Sequence, residues 1–218
     1  MQPMARMLGL EDAVALTRTG DLWLFRGRSG PDRAIQTLTN APVNHVGMAV
    51  VLDDMPPLMW HAELGRSLPD LWTGDHHRGV QLHDLRAAVT RWQEVYSQAA
   101  WLRQLEPEVG RAEENAVLHS IARLDGVSFP STARLAASWL RGRNRYAGRD
   151  DRQDRTRPRP EEAYCAEVVA LTMQEMGLLA DDRRASWYDP GSFWSGEDLE
   201  LAPGWSYSRE VAVARERV

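Results

Sequence analysis

With 218 residues, 43% apolar side chains and nine tryptophans, the chain has the composition of a globular protein with a real core, not a disordered one. One cysteine excludes an intramolecular disulfide framework, and no run of about 18 apolar residues offers a membrane-spanning helix. A formal net charge of −5 disfavours nucleic-acid binding, and the exclusive use of arginine for all 26 basic positions reads as coding bias.

Residues 9–18 read as a short helix ended near Gly20, and Asp21 to Arg26 as a strand from its aromatic and branched content. Residues 31–39 are helix or loop. Val43 to Leu52 is a strong strand, Asp53 to Pro57 a turn, and Leu58 to Leu64 the next strand, pairing as a hairpin or meander. A polar loop over 65–79 leads to a short strand at Val80 to Leu85. Gln93 to Leu105 is ambiguous between strand and helix. Helical periodicity returns at 109–124, with Val109, Ala112, Ala116, Val117, Ile121 and Leu124 on one stripe, and Gly126 stops it. Thr132 to Leu140 reads as another helix. Residues 141–162 are rich in Arg, Asp and Pro and poor in apolar side chains, so they are expected to form a charged flap or a linker. A helix over 163–178 follows, with Gly177 near its end, then strands at 198–202 and 206–213. The order points to an α+β protein, an antiparallel sheet packed against helices, forming one domain over 1–218.

Cys165 opens the helix at 163–178, and His45 lies on a strand more than a hundred residues earlier. A lone cysteine is more often a small hydrophobe than a nucleophile. At a helix start, however, the partial positive charge favours the thiolate, and a histidine on a facing strand supplies a base. Cys165 and His45 are therefore the candidate nucleophile and base. A third polar group is needed to hold the imidazole, and strand alternation puts His61 and Glu63 on one face as candidates. Tyr164, with the Cys165 amide, is an oxyanion candidate, with packing as the competing role. Glu167 reads as a dipole partner rather than an acid. Asp75, His76, His77 and His83 match no usual metal spacing and read as a solvated loop, and Arg26 to Gly30 lacks the ending of a phosphate loop, so no metal or cofactor is expected.

Four stretches together resemble the NlpC/P60 superfamily of papain-like cysteine hydrolases in its circularly permuted form. They are Thr19–Phe25 with its Gly-Asp opening, Asn44–Val50 (Asn-His-Val-Gly-Met-Ala-Val), Leu58–Ala62 ending in His-Ala, and Tyr164–Val169 (Tyr-Cys-Ala-Glu-Val-Val). The histidine precedes the cysteine, as in permuted members. Ala166 departs from the serine often found there. The resemblance implies a permuted papain-like fold whose nucleophile helix begins at Cys165. It favours His61 over Glu63 as the group orienting His45. It also implies a thiol hydrolase or acyltransferase acting on an amide, ester or thioester through an acyl-enzyme, with a small peptide, amide or acyl-lipid substrate. The alternative is a catalytically silent module that binds a peptide or acyl group. The amino-terminal residues show no export signal, so a cytoplasmic location is expected, and with it an intracellular amidase or lipid-type acyl transfer. Substrate identity and oligomeric state are not set by the sequence.

Overall fold

Residues His45–Val50 and Leu58–Glu63 are buried along their whole length, which requires cover on both faces of the sheet that holds them. The computed structural model, which describes residues 7–27, 42–63, 65, 68–127, 165–196 and 199–215, shows that cover. Strands β1 (Leu22–Arg26), β2 (His45–Val50), β3 (Leu58–Glu63), β4 (Gly79–Asp84), β5 (Ala99–Arg103) and β8 (Val211–Val213) form one antiparallel sheet in the order β4-β3-β2-β1-β5-β8. Two further short strands, β6 (Leu105–Glu106) and β7 (Ser206–Tyr207), pair with each other. The class is α+β.

Alternation along each strand sends side chains to two separate cores. On one face, Leu22, Leu24, Val46, Met48, Val50, Leu58, Trp60, Val80 and Leu82 pack against α3 (Arg111–Leu124) and α4 (Cys165–Glu175). On the other, Trp23, Phe25, Ala49 and Met59 meet α1 (Leu10–Leu16) and α2 (Leu85–Glu94). Helix α4 is tied to the sheet by a polar bond inside the first core. The Trp60 indole N–H donates to Thr172 Oγ1 at 3.1 Å, and that hydroxyl donates to the Val168 carbonyl at 2.8 Å.

Helix α2 was not expected from the sequence, yet its signals are there. Asp84 ends β4 and caps the helix, its carboxylate accepting from the Ala87 amide at 2.7 Å. Leu85, Ala88, Val89 and Trp92 then follow at i, i+3, i+4 and i+7 and are all buried. The ambiguous stretch at 93–105 resolves into the end of α2 and strand β5. The expected strand at 198–202 reduces to an isolated bridge between Leu179 and Leu201. Helix α4 ends at Glu175, two residues before Gly177 with its φ of 74°. The helix expected at 132–140, the segment 141–162, Tyr164 and the whole of 31–39 lie outside the described residues.

Thr172→Val is isosteric but leaves the buried Trp60 indole N–H without its acceptor. It should lower unfolding stability by about 1–3 kcal/mol, read as a lower denaturant midpoint with an unchanged m-value.

Candidate functional site

The second face of the sheet carries apolar side chains from β1, Ala49 and Met59, and polar ones join them from β2, β3 and β4. His45 leaves β2 on this face, His61 and Glu63 leave β3, and Gln81 and His83 leave β4, all of them buried. Buried away from water, such groups must satisfy one another. The three imidazoles form a single row across the strands. His45 Nε2 lies 2.9 Å from His61 Nδ1, and His61 Nε2 lies 3.0 Å from His83 Nδ1. His83 Nε2 then lies 3.1 Å from Gln81 Oε1. Each adjacent pair of rings meets edge-on, at interplanar angles of 74° and 81°.

Packing holds this row in place. Trp92 of α2 stacks on the His45 ring with centroids 3.9 Å apart and planes 27° from parallel. Phe25 of β1 flanks the same ring at 5.8 Å. Gly47 leaves room on the strand between, since a Cβ there would come within 3.3 Å of the His61 Cβ and 2.4 Å of the Met59 sulfur. At the far end the Gln81 amide nitrogen faces three carbonyls, those of His77 at 2.6 Å, Gly79 at 3.3 Å and Glu63 at 3.5 Å. Burial drives His45 down to about 3 and His83 to about 4, the latter opposed in part by Asp70, and pushes His61 well below the usual histidine range. The row is therefore neutral at physiological pH.

Glu63 takes no part in it. Its carboxylate accepts from the Gly65 amide at 3.0 Å, and burial raises its pKa. Of the two groups expected to orient His45, His61 is the one in contact. His83, expected in a solvated loop with Asp75, His76 and His77, belongs instead to the row, because its strand directs it inward. His76 and Asp75 are exposed, while His77 Nε2 lies 3.6 Å from Asp70 Oδ2. Asp70 pins this loop to β4 by accepting from the Leu82 and Thr73 amides, and those bonds outweigh its burial and lower its pKa. Among the described residues no group of three or more His, Cys, Asp or Glu is arranged to hold a metal ion.

Cys165 is the first residue of α4, and its side chain belongs to the core on the opposite face from the imidazole row. The two regions meet at β2. The ladder between β2 and β3 runs only from Met48–Val50 against Leu58–Trp60, so it stops short of Val46. The backbone amides of Val46 (one residue from His45), Ala166 and Cys165 each act to lower the pKa of the Cys165 thiol. The sequence led to an expected thiolate favoured by the helix terminus. The structure corrects this: burial outweighs the three amides and pushes the thiol up to about 11. Glu167, one turn along, is likewise raised to about 7 by burial. Three contributors escaped the sequence reading: Trp92, Gln81 and the Val46 amide. Only Trp92 had a usable signal, its place on the stripe of α2.

No family model matches the chain, and no curated protein matches it. Among solved structures it is similar to a metalloprotein, yiiX from Escherichia coli O157:H7, of the family DUF1105, at a TM-score of 0.49 and 18% identity. The similarity covers 73% of this chain and 66% of that one. The resemblance to the permuted NlpC/P60 superfamily does not hold, since no family model matches the chain and no curated protein does. The four stretches that suggested it are short. A buried strand beginning with His-Val-Gly and a helix beginning with cysteine also meet the general demands of a sheet covered on both faces. The fold stands as α+β, with a mostly antiparallel sheet and helices on both sides.

Depressed imidazoles link stability to pH, and the sign follows from proton uptake. His83 titrates at about 4 when folded against 6.5 as an ordinary group, so unfolding binds a proton between those values. Its contribution is complete above about pH 6.5 and is lost as pH falls toward 4. Asp21 and Glu167, raised to about 6 and 7 by burial, act in the opposite sense, so the difference between two proteins is the useful quantity. Relative to His83→Gln, the unsubstituted protein should lose about 1.4 kcal/mol per pH unit across that window, measured by urea unfolding from pH 7 to 4.5.

Proposed function

We propose that this protein is a thiol-dependent hydrolase or acyltransferase, with Cys165 as nucleophile, His45 as base and His61 as the group that orients His45. The observation that supports the reading is that the first residue of α4 meets the start of β2, although Cys165 and His45 leave opposite faces of the sheet and, among the described residues, no hydrogen bond joins them. The Val46 amide acts on the Cys165 thiol there, and the adjacent His45 has one ring nitrogen committed to His61. A neutral thiol near 11 is a poor nucleophile and needs a base at the moment of attack. A neutral imidazole is such a base.

In this reading the Cys165 proton passes to His45 as sulfur attacks the carbonyl carbon of an amide, ester or thioester. His45 then returns that proton to the leaving group, giving an acyl-enzyme that water or another acceptor resolves. The amides that act on the thiol, and the Tyr164 hydroxyl named from the sequence, are the candidates for holding the oxyanion. A small peptide, amide or acyl-lipid is the substrate class.

One observation favours the second reading, a silent module that binds a peptide or acyl group. Cys165 is buried and its pKa is raised, where a free-standing reactive thiol would have it lowered.

Activated acyl esters and thioesters should give a burst and a covalent adduct on Cys165 detectable by intact mass. Cys165→Ala should abolish both, and His45→Ala should reduce acylation by roughly 10²–10⁴-fold. Absence of any adduct across the panel, in a folded protein that still binds the acyl group, would establish the silent module instead.

A further inference from the structure

We propose that Gln81 and His83 are positioning residues that fix, through His61, which nitrogen of His45 carries its proton. The proposal rests on the assignment of His45 as base, and it deepens that assignment by naming the reacting atom, Nδ1.

The argument starts at the glutamine. Its side-chain nitrogen faces the carbonyl oxygens of His77, Gly79 and Glu63, which only accept hydrogen bonds. Reversing the amide would set an oxygen against three oxygens, so the nitrogen belongs there and Oε1 faces the row. An amide oxygen also only accepts, so His83 Nε2, 3.1 Å away, must carry the hydrogen. A neutral imidazole has one N–H, which leaves His83 Nδ1 as an acceptor. His61 Nε2 therefore donates to it across 3.0 Å, and His61 Nδ1 becomes an acceptor in turn. His45 Nε2 then donates to His61 across 2.9 Å. One proton on each ring follows from the orientation of that amide, and His45 is left with its lone pair on Nδ1.

The neutral state needed at each link comes from the burial that depresses all three histidines. The end of the row also matters. A glutamine amide cannot take up a proton at physiological pH, so the row cannot shift all its protons outward, as it could toward a carboxylate. When the Cys165 S–H bond breaks and Nδ1–H forms, the electron pair stays on sulfur. The resulting positive charge is held on His45, whose Nε2–H already points at His61. Trp92, stacked on the ring, keeps its plane in register with that bond.

Histidine ¹⁵N spectra of the full chain test the proposal without any turnover assay. The three buried rings should each show a protonated Nε2 and a bare Nδ1. In Gln81→Leu the buried rings should become a mixture of tautomers, with kcat reduced by roughly tenfold or more and KM little changed. Gln81→Glu sets a carboxylate oxygen against the three carbonyls and ends the row on a group that can take up a proton, so it too should mix the tautomers. Its negative charge should move the acid limb of the kcat/KM profile to higher pH. A protonated Nδ1 on His45 in the unsubstituted protein overturns the proposal, as does an unchanged tautomer pattern in Gln81→Leu. Should that variant not fold, the unsubstituted spectrum and Gln81→Glu decide alone. Expected tautomers in a protein that forms no Cys165 adduct would sink the catalytic reading of His45 and with it the positioning role, while leaving the proton placement in the row standing.

Discussion

A sheet covered on both faces imposes the constraint from which the rest of this structure follows. Strands β2 and β3 lie between α3 and α4 on one side and α1 and α2 on the other, so water reaches neither face. Apolar side chains satisfy that condition by packing. His45, His61, Gln81 and His83 satisfy it by bonding one another and, at the glutamine end, backbone carbonyls, because an unpaired buried polar atom costs about 1–3 kcal/mol. The row of imidazoles is thus as much a requirement of the buried face as the tryptophans around it. Its geometry is set by strand spacing: neighbouring strands lie about 4.8 Å apart, close enough for ring nitrogens on adjacent strands to meet near 3 Å.

The same burial sets the electrostatics. It removes charge from the histidines, the Cys165 thiol and Glu167 alike. The site is therefore electrically quiet at rest, unlike a preformed thiolate–imidazolium pair. Under the proposed function, chemistry begins with proton transfer between neutral partners. Fixed proton positions then matter more than fixed charges, because a base whose lone pair points the wrong way cannot accept.

The break in the β2–β3 ladder connects the two sides of the sheet. Elsewhere the ladder consumes backbone amides. Beyond Met48 it does not, and the Val46 amide acts on the first residue of α4. A helix terminus on one face thereby reaches the strand that presents His45 on the other. Trp60 and Thr172 hold the same helix one strand away, so α4 is tied to β3 by a side-chain bond and meets β2 through the backbone.

Burial and alternation were legible along the chain. The continuous apolar runs of β2 and β3, the stripe of α3, the helix opening at Cys165, and the shared face of His61 and Glu63 all follow from periodicities of two and 3.6. The choice of His61 over Glu63 as the neighbour of His45 was not fixed by those periodicities, because residues on one face differ only in which partner the adjacent strand brings opposite them. His83 was grouped with the histidines of the polar loop, and Gln81 was given no role, for the same reason: their burial depends on β4 pairing with β3 in one register. The raised thiol pKa opposed the local argument from the helix terminus, since desolvation comes from atoms distant in sequence. By itself the sequence determined which segments become strands and helices and which side chains share a face, because those properties are local. Only the tertiary structure decided which buried polar groups meet, since strand order and register are set by long-range pairing that no local spacing encodes.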